Sequence, residues 1–189
     1  YLPTRLALVR TWIDLAGTGA IPAPEAVKNA SPVLEEILRA EPGNSAALIS
    51  RGQVQSLNED RKAARRSFEQ ALAANPRDAA GLKEYGSLLF NTGNTEEAVN
   101  YLRQAVSIEP YDPLMQWELC VLHAFTVDVA GASRECKRIG DIQPGNPMQF
   151  YGQGYLYLFK GELAKFIQEY SKAIELDPGD HELKTGIAS

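Results

Sequence analysis

The sequence has few residues of the kinds that usually carry chemistry. It contains two cysteines, Cys120 and Cys136, and two histidines among 189 residues. Two cysteines are too few for a disulfide framework in a chain of this length. Together with His123 they lack a fourth ligand and the spacing of known zinc clusters, so no metal site is expected. No phosphate-binding glycine loop, metalloprotease motif or paired-carboxylate site stands out, and we expect neither a cofactor nor catalysis.

The sequence also lacks an excess of positive charge and any long apolar run. A net charge of −5 gives no chain-wide basic field, so nucleic acid is not an expected partner. No apolar run approaches the about 20 residues that cross a bilayer, so we expect a segment that does not insert into membranes, cytoplasmic or periplasmic. The chain begins at Tyr1 instead of Met, and we expect an excised piece or a processed product of a longer protein.

What the sequence does have is a strict repeat. Prolines stand 34 residues apart at positions 42, 76, 110, 144 and 178. A period of this length indicates repeated units, each of two helices and a turn, with the proline ending the second helix. We predict four full repeats, at 45–78, 79–112, 113–146 and 147–180. Residues 1–44 fit loosely, as a degenerate helical unit or cap with a helix kinked or begun at Pro32. Residues 181–189 begin a further helix.

Within each repeat, small residues recur where two helices must approach closely. The eighth place holds Gly52, Gly86 and Gly154, and the twentieth holds Ala64, Ala98 and Ala132. The last repeat instead has Phe166 at the twentieth place, so we expect Gly152 and Gly154 to make room for its ring. The alternation from Gly154 to Phe159 is typical of a half-buried strand, but the register of the repeat predicts a helix there.

These positions resemble the tetratricopeptide repeat. The second repeat matches the family pattern closely, and the fourth nearly so, at Leu82, Gly86, Ala98, Leu102, Ala105, Pro110 and at Gly154, Tyr157, Tyr170, Ala173, Pro178. The third departs from it at Cys120, at Ile139 and at Thr126-Val127-Asp128. The resemblance implies an all-α fold, an α-solenoid of antiparallel helix pairs that binds a protein or peptide in a concave groove.

One face of each first helix, opposite the face that packs on the second helix, is the one that lines this groove in the family. The resemblance therefore implies a partner-binding groove made of Lys83, Ser87, Asn91, Trp117, Val121, Phe125, Met148, Tyr151, Tyr155 and Phe159. The residues of the second repeat are polar, and those of the third and fourth are apolar and aromatic. The alternative is that these aromatics pack between neighbouring first helices and are not reached by a partner.

Two further readings remain open from the sequence. Cys120 and His123 share a helical face, which fits a thiolate and its base, but the register turns both inward and favours a buried thiol and a core histidine. A disulfide between Cys120 and Cys136 is possible in an oxidising compartment.

The densest positive cluster is made of Arg61, Lys62, Arg65 and Arg66. We interpret it as a solvated convex face.

The far end of the chain has apolar residues without an obvious cover, Ile167, Tyr170 and Ile174. A solenoid needs a polar terminal cap. We therefore expect either that the parent chain continues or that a homo-oligomer forms through this end. A structural role, as a self-assembling unit or the sensor arm of a larger bacterial protein, is the alternative to a peptide-binding scaffold.

Overall fold

The structure, a computed structural model, describes residues 2–126 and 128–177. Within these ranges no residue lies in a β-strand, and the aromatic stretch from Gly154 to Phe159 is helical, as predicted. The described residues form ten helices: α1 Leu2–Gly17, α2 Ala23–Ala40, α3 Ser45–Leu57, α4 Arg61–Ala74, α5 Ala79–Asn91, α6 Thr95–Ile108, α7 Pro113–Phe125, α8 Val129–Ile142, α9 Pro147–Phe159 and α10 Leu163–Leu176.

The helices start in step with the predicted repeats. The first helix of each repeat begins at its first residue: Ser45, Ala79, Pro113 and Pro147. The second helix begins sixteen residues later in every case: Arg61, Thr95, Val129 and Leu163. The predicted further helix at 181–189, Val127 and the proline at 178 lie outside the described residues.

Local sequence explains why the helices begin where they do. A short polar side chain stands just before six helices and accepts a hydrogen bond from a backbone N–H of the first turn: Asn44, Asp60, Asp78, Asp112, Asp128 and Asn146. Such caps satisfy N–H groups that have no partner inside the helix. The repeated prolines at 42, 76, 110 and 144 lie in the links that precede first helices.

The turn inside the repeat needs a left-handed residue. Gly93 and Gly161 occupy the fifteenth place of their repeats with φ of 84° and 72°. Glu59 occupies the same place in the first repeat with φ 59°. A side chain disfavours this conformation, so the first repeat makes its turn at a cost that glycine avoids.

The helix around Pro32 starts earlier than one of its two predicted alternatives. A helix begun at Pro32 is wrong, because α2 begins at Ala23 and contains Pro32 in its interior, as a helix kinked there would. One face continues across the proline, because Ala26, Ala30, Leu34 and Ile37 are all buried. Packing of this face holds the helix together despite the missing backbone donor.

The chain divides into two compact bodies, Tyr1–Asn94 and Thr95–Ser189. The N-terminal body contains α1 to α5. One of its apolar clusters joins Val9, Ala30, Leu34, Ile37, Ala47 and Val54. Gly52 lies against the Phe68 ring so closely that a Cβ would stand 2.6 Å from it, which explains the small residue at the eighth place.

The C-terminal body contains α6 to α10 in its described part. Ala98 and Ala132, two of its predicted close-approach residues, are fully buried. Gly154 faces the Phe166 ring, but the expectation that glycine makes room there is not met, since a Cβ would stand 3.5 Å from that ring at an ordinary contact distance. Gly152 serves a different neighbour: its Cβ would meet the sulfurs of Cys120 and Cys136.

Candidate functional site

A polar cleft of about 470 Å³ lies in the N-terminal body, among α1, α3, α4 and α5. Ser87 and Asn91, two of the predicted groove residues, line it from α5. Lys83, the third, is not among the lining residues; its ammonium lies 3.0 Å from the carboxylate of Glu84. Two of the three predicted polar residues therefore line one cleft.

The same cleft contains residues that the sequence reasoning missed. Gln53, Ser56 and Leu57 line it from α3. Gln53 and Leu57 hold the same places in the first repeat that Ser87 and Asn91 hold in the second. The register of the repeat was the signal that could have identified them, because equal places on successive first helices face the same side.

The cleft mixes amide, hydroxyl and charged groups with a few apolar side chains. Glu59 and Glu84 supply negative charge and Arg61 supplies positive charge. Ile13, Leu57, Phe68 and Leu88 supply apolar surface. Gln53 and Asn91 each carry an amide that can both donate and accept hydrogen bonds.

An exposed aromatic pair marks the C-terminal body. Phe125 ends α7 and Phe159 ends α9, and their ring centroids lie 4.6 Å apart in an edge-to-face arrangement. Their exposed fractions are 46% and 47%. Half of each ring therefore remains in water although the two rings pack on each other.

The other predicted aromatic and apolar residues of this body are less accessible. Trp117, Val121, Met148 and Tyr155 are half-buried. The indole N–H of Trp117 is buried and makes no hydrogen bond within the described part of the chain. The apolar and aromatic groove residues predicted for the third and fourth repeats are thus exposed to solvent mainly at the ends of their helices.

Tyr151 lies on a different face from the one expected. Only 8% of it is exposed, and its ring packs edge to face on Tyr170 at 5.3 Å. Tyr170 and Ala173 of α10 share its apolar cluster, with Phe150 at the margin. Tyr151 points toward α10, the second helix of the same repeat. It therefore has little surface left for a partner to contact.

Cys120, the candidate nucleophile, is not a free thiol in the structure. Cys120 and Cys136 form a disulfide that joins α7 to α8, with Cα atoms 5.3 Å apart, and neither residue is exposed. The pairing settles the alternative that the sequence left open. A buried disulfide offers no nucleophile, because the thiolate is the reactive form.

His123 is buried and holds a structural contact. Its Nδ1 lies 3.0 Å from a carboxylate oxygen of Asp128, whose other oxygen accepts the backbone N–H of Gly131 at the start of α8. Burial lowers the pKa of His123, and the nearby Asp128 charge opposes this only in part. The imidazole therefore acts as a link between the end of α7 and the start of α8.

The described ranges contain no group of three or more His, Cys, Asp or Glu side chains that could hold a metal ion. Within the same ranges, no helix combines the length and apolarity that crossing a membrane requires.

Comparison with known families agrees with the helix pairs. Two models of the tetratricopeptide repeat match the chain, at residues 58–113 and 150–180. The chain contains tetratricopeptide repeats. No curated protein sequence matches it. Tetratricopeptide repeats stack into extended concave binding surfaces, which supports a role as a protein–protein interaction scaffold.

Several solved structures share this fold. TTC0263, a thermophilic protein of Thermus thermophilus, has a TM-score of 0.77 at 19% identity, covering 97% of each chain. PilF of Pseudomonas aeruginosa has a TM-score of 0.74 at 19% identity, covering 95% of this chain and 79% of its own. YrrB, described as a TPR protein with an unusual peptide-binding site, has a TM-score of 0.67 at 22% identity, covering 94% and 90%. These likenesses confirm the predicted fold class, an all-α solenoid of antiparallel helix pairs.

Proposed function

We propose that the chain is a non-catalytic scaffold that binds an extended peptide of a partner protein in the polar cleft of the N-terminal body. One observation carries this proposal: Ser87 and Asn91 line a single cleft with Gln53 and Leu57, their counterparts in the preceding repeat. Equal places on two successive first helices thus face one ligand-sized space.

The chemistry of the cleft supports a peptide. An extended peptide presents alternating N–H and C=O groups, which the amides of Gln53 and Asn91 can meet as donors and acceptors. A volume of about 470 Å³ falls in the range of ligand sites. YrrB, whose fold is similar, has a peptide-binding site of its own.

The aromatic pair of the C-terminal body supports a second, apolar contact. Phe125 and Phe159 each expose nearly half their surface. Covering about 90 Å² on each ring would contribute roughly 4 to 5 kcal/mol of gross stabilisation. Association costs a comparable amount, so this pair alone would hold a partner weakly. Polar contacts elsewhere on the partner must supply the rest.

The test begins with peptides selected from a random displayed library on the wild-type chain. Their affinities are then measured for Gln53→Ala and Asn91→Ala, with Arg66→Ala on α4 as the matched control. We expect each cleft variant to weaken binding about tenfold and the control to leave it unchanged. Selected peptides that bind both cleft variants with wild-type affinity would contradict the proposed site.

Self-association is a second candidate function, favoured by the surface of α10. Leu163 and Ile167 stand one helical turn apart and expose 58% and 45% of their surface. Apolar pairs of this kind mark contacts when they form part of a larger patch. Sedimentation velocity should show a concentration-dependent mass that Ile167→Glu abolishes and Gln168→Glu does not. A constant monomer mass at all concentrations would exclude this role for the chain.

A further inference from the structure

A second cleft of the N-terminal body lies between α2 and α3. It measures about 420 Å³ and has an apolar side formed by Leu34, Leu38 and Val54. Arg51 and Gln55 of α3 supply its polar side. The cleft is separate from the polar cleft described above, since the two have no lining residue in common.

The repeat register relates this cleft to the next repeat. Arg51 and Gln55 occupy the seventh and eleventh places of the first repeat. In the next repeat the same places hold Tyr85 and Leu89, both buried, with the Tyr85 hydroxyl donating to Glu69 Oε1 at 3.0 Å. At the corresponding places of the first repeat, two polar side chains line a cleft, and one of them is a cation.

The guanidinium of Arg51 is held in position by its neighbours. Its Nε donates to Ser67 Oγ at 2.9 Å, and its Nη2 donates to Gln70 Oε1 at 2.6 Å. Ser67 is buried and in turn donates to Gln55 Oε1 at 2.6 Å. A guanidinium has more N–H donors than these two bonds use, and the Gln55 amide nitrogen is also able to donate.

No carboxylate within residues 2–126 and 128–177 forms an ion pair with Arg51. Both of its hydrogen-bond partners are neutral. Burial lowers the pKa of Arg51 below its usual value, which reflects the cost of holding a partly desolvated charge without a counter-ion. A positioned cation of this kind is favourable for an anionic ligand.

We propose that this cleft binds a carboxylate attached to an apolar group about the size of one leucine side chain. The carboxylate accepts hydrogen bonds from the remaining N–H groups of Arg51 and from the Gln55 amide. The apolar group packs on Leu34, Leu38 and Val54. The planar fork of arginine matches the two oxygens of a carboxylate, which a lysine ammonium does not.

The rim of the cleft has one residue of each charge sign. Glu35 and Arg39 of α2 both line the cleft, and both are exposed. A bound carboxylate is repelled by Glu35 and attracted by Arg39. Glu35→Gln removes the repulsion without changing the shape of the side chain, so it is expected to strengthen binding.

The test uses the whole chain and follows the side-chain Nε–H resonance of Arg51 by NMR. The first probes are N-acetyl-leucine, which has the carboxylate, and N-acetyl-leucinamide, which does not. We expect the acid to shift this resonance saturably, with at least tenfold higher affinity than the amide. Glu35→Gln should strengthen acid binding about threefold, and Arg66→Met should leave it unchanged.

Two Arg51 variants guard against a folding artefact. Arg51→Met should abolish acid binding, and Arg51→Lys should weaken it about tenfold while keeping the charge; the methyl resonances of the chain follow binding in both. Acid and amide binding equally, or folded Arg51→Met binding the acid as the wild type does, would overturn the proposal.

A third probe identifies the source of the carboxylate. The tetrapeptide Ala-Ala-Ala-Leu with a free C-terminus has the same terminal group as N-acetyl-leucine. Tighter binding of the peptide would assign the site to the end of a polypeptide chain. Equal affinity would assign it to a single small acid, and either result supports the carboxylate site. The carboxylate site can be tested separately from the polar cleft, because Gln53 and Asn91 do not line the cleft between α2 and α3.

Discussion

The ring of Phe125 meets the ring of Phe159 edge to face, with centroids 4.6 Å apart. The two residues hold the same place in successive repeats, at the ends of α7 and α9. A fixed register thus brings equal positions into contact across neighbouring first helices, and here both partners are aromatic.

This contact predicts a measurable coupling. In a double-mutant cycle of Phe125→Leu and Phe159→Leu, urea unfolding should give a coupling energy of about 0.5 to 1 kcal/mol, the usual value for an aromatic pair. Each single variant should cost little, because half of each ring is already exposed. Strictly additive effects of the two substitutions would mean that the rings do not stabilise each other.

Gly152 is predicted to be essential for packing, and Gly154 is not. A Cβ on Gly152 would stand 2.7 Å from both sulfurs of the disulfide, so Gly152→Ala should destabilise the chain by about 1 to 3 kcal/mol. Gly154→Ala is the matched control on the same helix. Its Cβ would make an ordinary contact at 3.5 Å, and alanine's better helix propensity should make it neutral or stabilising. Equal unfolding midpoints for the two variants would refute the predicted crowding.

Glu59→Gly is predicted to stabilise the protein. Glu59 has a φ of 59° at a turn where the second and fourth repeats have glycine, so the substitution should relieve about 0.5 to 1 kcal/mol of backbone strain. Asn58→Gly is the control, since Asn58 has a φ of −87° and gains nothing from glycine. Thermal unfolding should show a higher midpoint for Glu59→Gly alone; a lower midpoint would contradict the strain.

The free energy of unfolding is predicted to decrease as the pH is lowered below neutrality, because His123 is buried. Burial lowers its folded-state pKa below the unfolded value of about 6.5, so the fold favours neutral imidazole. Its contribution is complete above that unfolded pKa and is lost as the pH falls from there toward the folded pKa.

The measurement is the urea midpoint between pH 8 and pH 5. A His181→Gln background removes the other histidine, so that His123 is the one imidazole left to titrate. His123→Leu in that background should flatten the profile over this window. A wild-type profile that stays flat from pH 8 to pH 5 would contradict a depressed pKa.

Much of the local structure could be predicted from the sequence. The proline period and the caps such as Asn44 and Asp78 determine where each helix begins, because these effects act within a few residues. The same register places Ser87 and Asn91 on one face of α5, and both line the cleft of the N-terminal body. The start of α2 could not be predicted, since packing of Leu34 and Ile37 outweighs the local effect of Pro32.

What the sequence by itself determined is the period, the helix pairs and the face on which each residue of a repeat is expected to lie. Tertiary structure decided which of those residues remain accessible. Tyr151 is buried against Tyr170 whereas Phe159 stays half exposed, although both were assigned to one surface. It also decided that Cys120 meets Cys136, and that Arg51 faces an open cleft. The physical reason is that exposure and pairing depend on how closely neighbouring helices approach, which side chains distant in the chain set together.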